Sequence, residues 1–172
     1  LNEVVSNKST ALNGFIEVNG QKADVIIANP NGISCSGCSF INTNKAVLTT
    51  GSVSLSDSGA IKDYTVTGGN ISVDAKGMNA ANGYAVLPAD AISLNGVVQA
   101  NNAMISAGNF KLDNATGAIT SSGKSANVKQ LLIPEYSIDI SNLGGVKANS
   151  ISMVGNNLGF GVRNKGAVVA NS

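Results

Sequence analysis

Gly96-Val97-Val98-Gln99-Ala100-Asn101 recurs later in the chain as Gly145-Val146-Lys147-Ala148-Asn149 and again as Gly166-Ala167-Val168-Val169-Ala170-Asn171. Gly117-Ala118-Ile119-Thr120 is a shortened version of the same phrase. Aligning Val98, Ile119, Val146 and Val168 gives spacings of about 21, 27 and 22 residues, the period of a stacked repeat. Before and between these phrases lie short apolar–polar–apolar triplets: Ile71-Ser72-Val73, Ile92-Ser93-Leu94, Ile138-Asp139-Ile140 and Ile151-Ser152-Met153. Alternation with period two marks strands, and Gly, Asn and Ser break it every few residues. Helical periodicity is hard to find anywhere in the sequence.

A unit of about 21 residues with three short strands cannot bury its apolar side alone. Stacking the units solves this, each strand pairing in parallel with its counterpart one coil away, with Ile, Val, Leu and Met pointing into the tube. The sequence therefore predicts an all-β fold, a parallel β-helix with coils of about 21 residues and small extra-helical excursions. Residues 1–172 form one domain. The longer gap contains Ser125 to Pro134, which reads as an excursion whose most apolar part, Leu131-Leu132-Ile133, is expected to pack on the core. Seven or eight coils at about 4.8 Å each give a rod roughly 35 Å long. The competing β-sandwich requires two-residue hairpin loops at shorter spacing, and no cluster of these appears.

Composition narrows the chemistry. A formal charge of +1 from 11 basic and 10 acidic residues offers no basic surface for nucleic acid. Charged residues are 12% and aromatics 4%, while 20 glycines and many asparagines suit short strands joined by polar turns. Histidine is absent, which removes Ser-His and Cys-His nucleophile pairs, the usual zinc ligand sets and the commonest general base. No apolar run approaches the roughly 20 residues of a membrane-spanning helix. No metal, cofactor or catalytic residue is expected. The chain begins at Leu1, and Leu1-Asn2-Glu3-Val4-Val5 already has strand character, so we expect a piece whose domain starts upstream.

One segment departs from the repeats: Ala28-Asn29-Pro30-Asn31-Gly32-Ile33-Ser34-Cys35-Ser36-Gly37-Cys38. Ala23-Asp24-Val25-Ile26-Ile27 enters it as a strand and Ile33 leaves it. Asn29 precedes a proline and is pushed out of the α region, Pro30 presets φ for a turn, and Asn31-Gly32 offers two residues that tolerate φ > 0. Asn29, Pro30, Asn31 and Gly32 are therefore expected to make a corner of the tube, with asparagine amides bonded to neighbouring backbone.

This turn, followed by Cys35-Ser36-Gly37-Cys38-Ser39-Phe40-Ile41-Asn42-Thr43, resembles the signature of two-partner secretion domains. These lie near the N-terminus of filamentous-haemagglutinin-like exoproteins. The resemblance continues in Ala46-Val47-Leu48-Thr49-Thr50-Gly51, in Gly69-Asn70-Ile71-Ser72-Val73 with Gly77-Met78-Asn79, and in Gly108-Asn109. It extends through Ile138-Asp139-Ile140-Ser141-Asn142-Leu143-Gly144-Gly145 to Gly159-Phe160-Gly161-Val162-Arg163-Asn164-Lys165-Gly166. The cysteine pair is particularly similar to that of large adhesins and CdiA-type contact-dependent inhibition toxins.

The resemblance implies a right-handed β-helix that needs no cofactor. It also implies passage through the Gram-negative periplasm to the cell surface or medium. The partner it implies is a cognate Omp85-type outer-membrane transporter (TpsB or CdiB type), whose POTRA domains recognise the domain. Asn29, Pro30, Asn31 and Gly32 then carry either transporter recognition or a structural turn. The family pattern includes a capping stretch before Leu1 and further coils beyond Ser172, neither of which this sequence contains.

Cys35 and Cys38 have the spacing of a redox motif, half a metal site or a local disulfide. The chain lacks further zinc ligands and any βαβ context. The periplasmic passage that the resemblance implies favours the disulfide. Asp57, Asp63, Asp74, Asp90, Asp113 and Asp139 are scattered without calcium-loop spacing. Gly68-Gly69 and Gly144-Gly145 read as corner glycines, since no P-loop lysine follows. Two rival functions share the fold: an adhesin module holding a glycan or protein receptor on a target cell, and a polysaccharide lyase whose acids converge on one lateral face.

Overall fold

A computed structural model describes residues 1–121, 136–156 and 161–171 of the chain. The described residues form strands and turns without an α-helix, wound into six coils of three strands each.

Coil one holds β1 (Asn2–Glu3), β2 (Thr10–Leu12) and β3 (Phe15–Glu17). Coil two holds β4 (Ala23–Ala28), β5 (Ile33–Cys35) and β6 (Cys38–Ile41). Coil three opens with β7 (Thr43–Thr49), leaves the tube through β8 (Ser52–Leu55) and β9 (Ile61–Val66), and returns as β10 (Asn70–Val73). It closes with the first part of the long β11 (Met78–Ala89), whose second part opens coil four. Coil four continues in β12 (Ala91–Leu94) and the first part of β13 (Val97–Gly108). The second part of β13 opens coil five, which detours through β14 (Phe110–Asp113) and β15 (Ile119–Ser121). It resumes with β16 (Ile138–Ile140) and β17 (Gly145–Ala148). Coil six holds β18 (Ser150–Asn156), β19 (Val162–Asn164) and β20 (Ala167–Ala170).

Parallel pairing stacks these strands into three faces. One is a six-stranded sheet in the order β19-β16-β12-β10-β5-β2. The other two belong to a ten-stranded sheet that β11 and β13 carry around a corner. Three of the four triplets form the first face in register: Ile33, Ile71, Ile92 and Ile138 stack, as do Cys35, Val73, Leu94 and Ile140, whereas Ile151-Ser152-Met153 pairs with Ala103, Met104 and Ile105 of β13 in the larger sheet. The second face stacks Cys38, Met78, Val98, Val146 and Val168. These columns point inward, and Ile71, Val73, Leu94, Val98, Ile138 and Ile140 have no solvent exposure.

The third face does not alternate. Val25-Ile26-Ile27-Ala28, Ala46-Val47-Leu48 and Ala85-Val86-Leu87 are continuous apolar runs because both sides are covered. Ala46, Leu48, Ala85 and Leu87 face the tube. Ile26, Val47, Val86 and Met104 face outward against an antiparallel sheet in the order β15-β14-β9-β8. That sheet presents Tyr64, Val66, Phe110 and Leu112 as a second apolar core outside the tube.

Two expectations are corrected here. Ile119 belongs to this antiparallel sheet and pairs with Leu112, so it is not a rung; Val98 pairs directly with Val146, 48 positions away in sequence. The residues spent on the two detours also reduce the coils from the expected seven or eight to six. Ser125–Pro134, with Leu131-Leu132-Ile133, lies outside the described residues, as do Gly159, Phe160 and Ser172.

The recurring phrase has a clear place. Its Gly sits at the corner before the second face, a place that Gly144 rather than Gly145 takes in the second copy, and its Ala-Asn lies at the corner after. Gly96, Gly144 and Gly166 are stacked so closely that a Cβ on Gly144 would overlap the Leu94 carbonyl, and one on Gly166 would overlap that of Gly144. The coil-to-coil backbone bonds leave no room for a side chain there. At the far corner, Asn149 Nδ2 donates to Asn101 Oδ1 at 2.5 Å.

Candidate recognition turn

The Asn29–Gly32 segment is the corner between β4 and β5. Gly32 N donates to Asn29 O at 3.1 Å, closing a four-residue turn with Pro30 at its first corner position. Of the two residues expected to tolerate φ > 0, only Gly32 uses that freedom, at +107°; Asn31 stays at negative φ. A Cβ on Gly32 would stand 3.0 Å from Asn70 O of the coil above.

Asn29 is fully buried, and its amide is completely committed. Nδ2 donates to Lys8 O at 2.9 Å and to Thr10 Oγ1 at 2.8 Å. Oδ1 accepts from Asn31 N at 2.9 Å and from Asn31 Nδ2 at 3.0 Å. Asn31 Nδ2 also donates to Ser6 O at 2.8 Å. Above the turn, Asn29 N donates to Thr49 O at 2.9 Å. Gly69 packs on Pro30, where a Cβ would lie 2.6 Å from the proline carbonyl. The turn therefore joins three coils, and its asparagines hold the first coil from above.

Cys35 and Cys38 form a disulfide at the next corner, with Cα atoms 5.3 Å apart. The corner is short, with only Ser36 and Gly37 between the cysteines; the equivalent inward pairs Val73/Met78 and Leu94/Val98 are farther apart in sequence. A two-residue corner brings neighbouring inward columns close enough to bridge. Gly37 supplies the bend at φ +68°, and both sulfurs sit in the core without solvent exposure. Ser36 also donates to Asp74 of the next coil, which with the Lys76 amide holds that carboxyl below the usual carboxylate range.

Asp57 is exposed in a turn, and the other scattered aspartates occupy separate structural posts. Asp63 and Asp113 face each other across β9 and β14, where Asp63 accepts from Ser54 Oγ at 2.5 Å. Asp113 accepts from Thr116 N and Oγ1 and from Ala115 N, and the Thr116 bonds keep its carboxyl low. Asp90 is buried and accepts from Asn109 Nδ2 at 2.7 Å. Asp139 forms a fork with Arg163 directly above it, at 2.8 and 2.7 Å, and Arg163 lies 4.1 Å over the Tyr136 ring. That bond lowers the Asp139 carboxyl and raises the guanidinium further. Among the described residues, no three His, Cys, Asp or Glu side chains converge to hold a metal, and no helix is long and apolar enough to cross a membrane.

Sequence reasoning missed Asn42 and Asn44. Asn42 was quoted only as part of the resemblance, yet its amide bonds two carbonyls of coil one, and Asn44 Nδ2 reaches Lys22 O at 3.4 Å. The φ of Asn42, +55°, has no signal in the sequence beyond the residue type.

Fold and site together define a β-helical domain whose second coil carries a cross-linked corner and an asparagine turn locked to its first. The chain belongs to the TPS secretion domain family, whose profile matches residues 1–172. It is similar to Toxin CdiA of Yersinia pestis, with 38% identity over 173 residues covering 100% of this chain and 5% of that protein. It is likewise 38% identical over 163 residues to the tRNA nuclease CdiA of Yersinia mollaretii, covering 94% of this chain and 5% of that one. The chain thus spans about a twentieth of the length of these relatives. Its fold matches the crystal structure of a filamentous hemagglutinin secretion domain with a TM-score of 0.87 and 31% identity, over 98% of this chain and 58% of that one.

Proposed function

We propose that this secretion domain is the part of an exoprotein that the POTRA domains of a cognate TpsB- or CdiB-type outer-membrane transporter recognise, and that it seeds β-helix folding once outside. The observation that carries this reading is the tethering of the Asn29–Gly32 turn to coils one and three. The chain reaches the periplasm unfolded and offers strand segments whose backbone pairs with the POTRA edges, while alternate side chains select the partner. Outside, coil two captures coil one, and each later coil adds to a formed edge, because stability in a stacked fold is nearest-neighbour in character. Burial of the aliphatic columns then opposes backsliding.

The domain itself acts without catalysis; the nuclease and toxin names belong to whole proteins about twenty times its length. Its place is the surface or surroundings of a Gram-negative cell after periplasmic transit. The Asn29–Gly32 residues contribute chiefly by letting the coils close, with direct transporter contact secondary. The adhesin and lyase alternatives gain no support from Asp63, Asp74, Asp90, Asp113 and Asp139, each of which is taken up in a structural contact.

The test is binding of the purified POTRA domains from the cognate TpsB- or CdiB-type transporter. Immobilised POTRA domains are expected to retain the chain when it is offered unfolded by dilution from denaturant, and to discriminate against an unrelated β-helix. Equal retention of both, or of neither, would refute the proposal. Binding on a glycan array or cleavage of a uronate polymer would favour the rivals instead.

A further inference from the structure

Asn42 is the one non-glycine residue at positive φ among the described residues. That conformation costs an ordinary side chain energy and costs asparagine less, so its presence calls for a return. The return lies in how two coils round the same corner. Glu17 pairs with Ile41 and Ala23 with Thr43, so coil two turns on Asn42 alone where coil one takes residues 18–22. The wider loop has carbonyls without ladder partners, and the Asn42 amide reaches into it. Nδ2 donates to Val18 O and to Gly20 O, both at 2.8 Å.

Three short parallel ladders hold coil one on coil two, β1 on β4, β2 on β5 and β3 on β6, and the coil adds the half-buried Leu12 and Ile16 to the core. The loops between those ladders are tied down by polar clasps from coil two: Asn29 and Asn31 at one corner, Asn42 and Asn44 at another.

We propose that Asn42 is a positioning residue for export, acting with Asn29 and Asn31 to keep residues 6–22 docked on coil two as a unit once the coils form outside the cell. Its link to export rests on the secretion reading above.

Asn42→Gly and Asn42→Asp separate the amide from the backbone. Glycine accepts φ > 0 freely but donates nothing; aspartate keeps the shape and loses both donors. If Asn42 served only the backbone, Asn42→Gly would match or exceed the native chain. We expect both variants to exchange amide hydrogens of residues 15–18 roughly tenfold faster than the native chain, with the amides of Ile92 and Ile105 unchanged. We also expect export through the cognate transporter to fall by roughly threefold or more, with rescue by no residue lacking a side-chain amide. Native-like protection of residues 15–18 in Asn42→Gly would overturn the proposal, as would released coil one with undiminished export. A native chain that the transporter does not export would defeat the secretion reading instead, while hydrogen exchange still decides the role of Asn42.

Discussion

Replacing Asn29 by alanine is expected to destabilise the domain more than any other change within the turn. The side chain is fully buried and makes four hydrogen bonds of 2.8 to 3.0 Å. Alanine removes all four and leaves the exposed Lys8 and Asn31 and the half-buried Thr10 to find other partners. A hydrogen bond contributes about 1 kcal/mol net, so the loss is about 3–4 kcal/mol. Pro30→Ala is the internal control. Its ring makes no hydrogen bond, so that variant loses only about 0.5–1 kcal/mol through greater freedom of the unfolded chain. Equilibrium urea unfolding followed by far-ultraviolet circular dichroism reads both values. Hydrogen exchange shows where the first variant loosens, which should be residues 6–12. An Asn29→Ala loss below about 1 kcal/mol would refute the argument that these bonds hold the first coil.

Other perturbations test other parts of the structure. Reducing the Cys35–Cys38 bridge under denaturing conditions and refolding with reductant should lower stability by about 2 kcal/mol, the unfolded-state entropy of so short a loop; a loss above about 4 kcal/mol would mean that the bond does more than clip a corner. Gly144→Ala should cost more than about 3 kcal/mol or prevent folding, because its Cβ would overlap the Leu94 carbonyl, whereas Gly59→Ala meets no neighbour and pays only for its positive φ. The Tyr64 phenol is pushed up to about 12 by burial and by the charge of Asp24. Its folded value exceeds its unfolded value of about 10, so its contribution is complete below pH 10 and is lost as pH rises toward 12. Thermal melts of Tyr64→Phe should decline less than those of the native chain across that interval, and parallel decline would contradict the placement of Tyr64.

The columns of the tube are legible in the sequence because their period survives insertion. Ile71-Ser72-Val73, Ile92-Ser93-Leu94 and Ile138-Asp139-Ile140 fall in register although 46 positions separate Ile92 from Ile138. The corner residues are legible for a similar reason: stacked backbones exclude side chains at Gly96, Gly144 and Gly166, and those glycines recur. Ile119 misleads because an antiparallel strand on the flank needs the same alternating residues as a rung. The continuous run Val25-Ile26-Ile27-Ala28 is the available sign that a second layer covers that face. The asparagine clasps leave no such sign. Asn29 and Asn42 find their partners one coil away, across 19 to 24 positions, and a single sequence does not show which carbonyls a neighbouring loop leaves unpaired.

Export of this chain through its transporter tests the central claim most directly. Placed behind a periplasmic signal peptide and tagged at its C-terminus, the chain is expected in the medium when the cognate outer-membrane transporter is co-expressed. When the transporter's POTRA domains are deleted, it is expected to stay in the periplasm. Equal release with and without those domains would contradict the claim that this domain is what the transporter recognises.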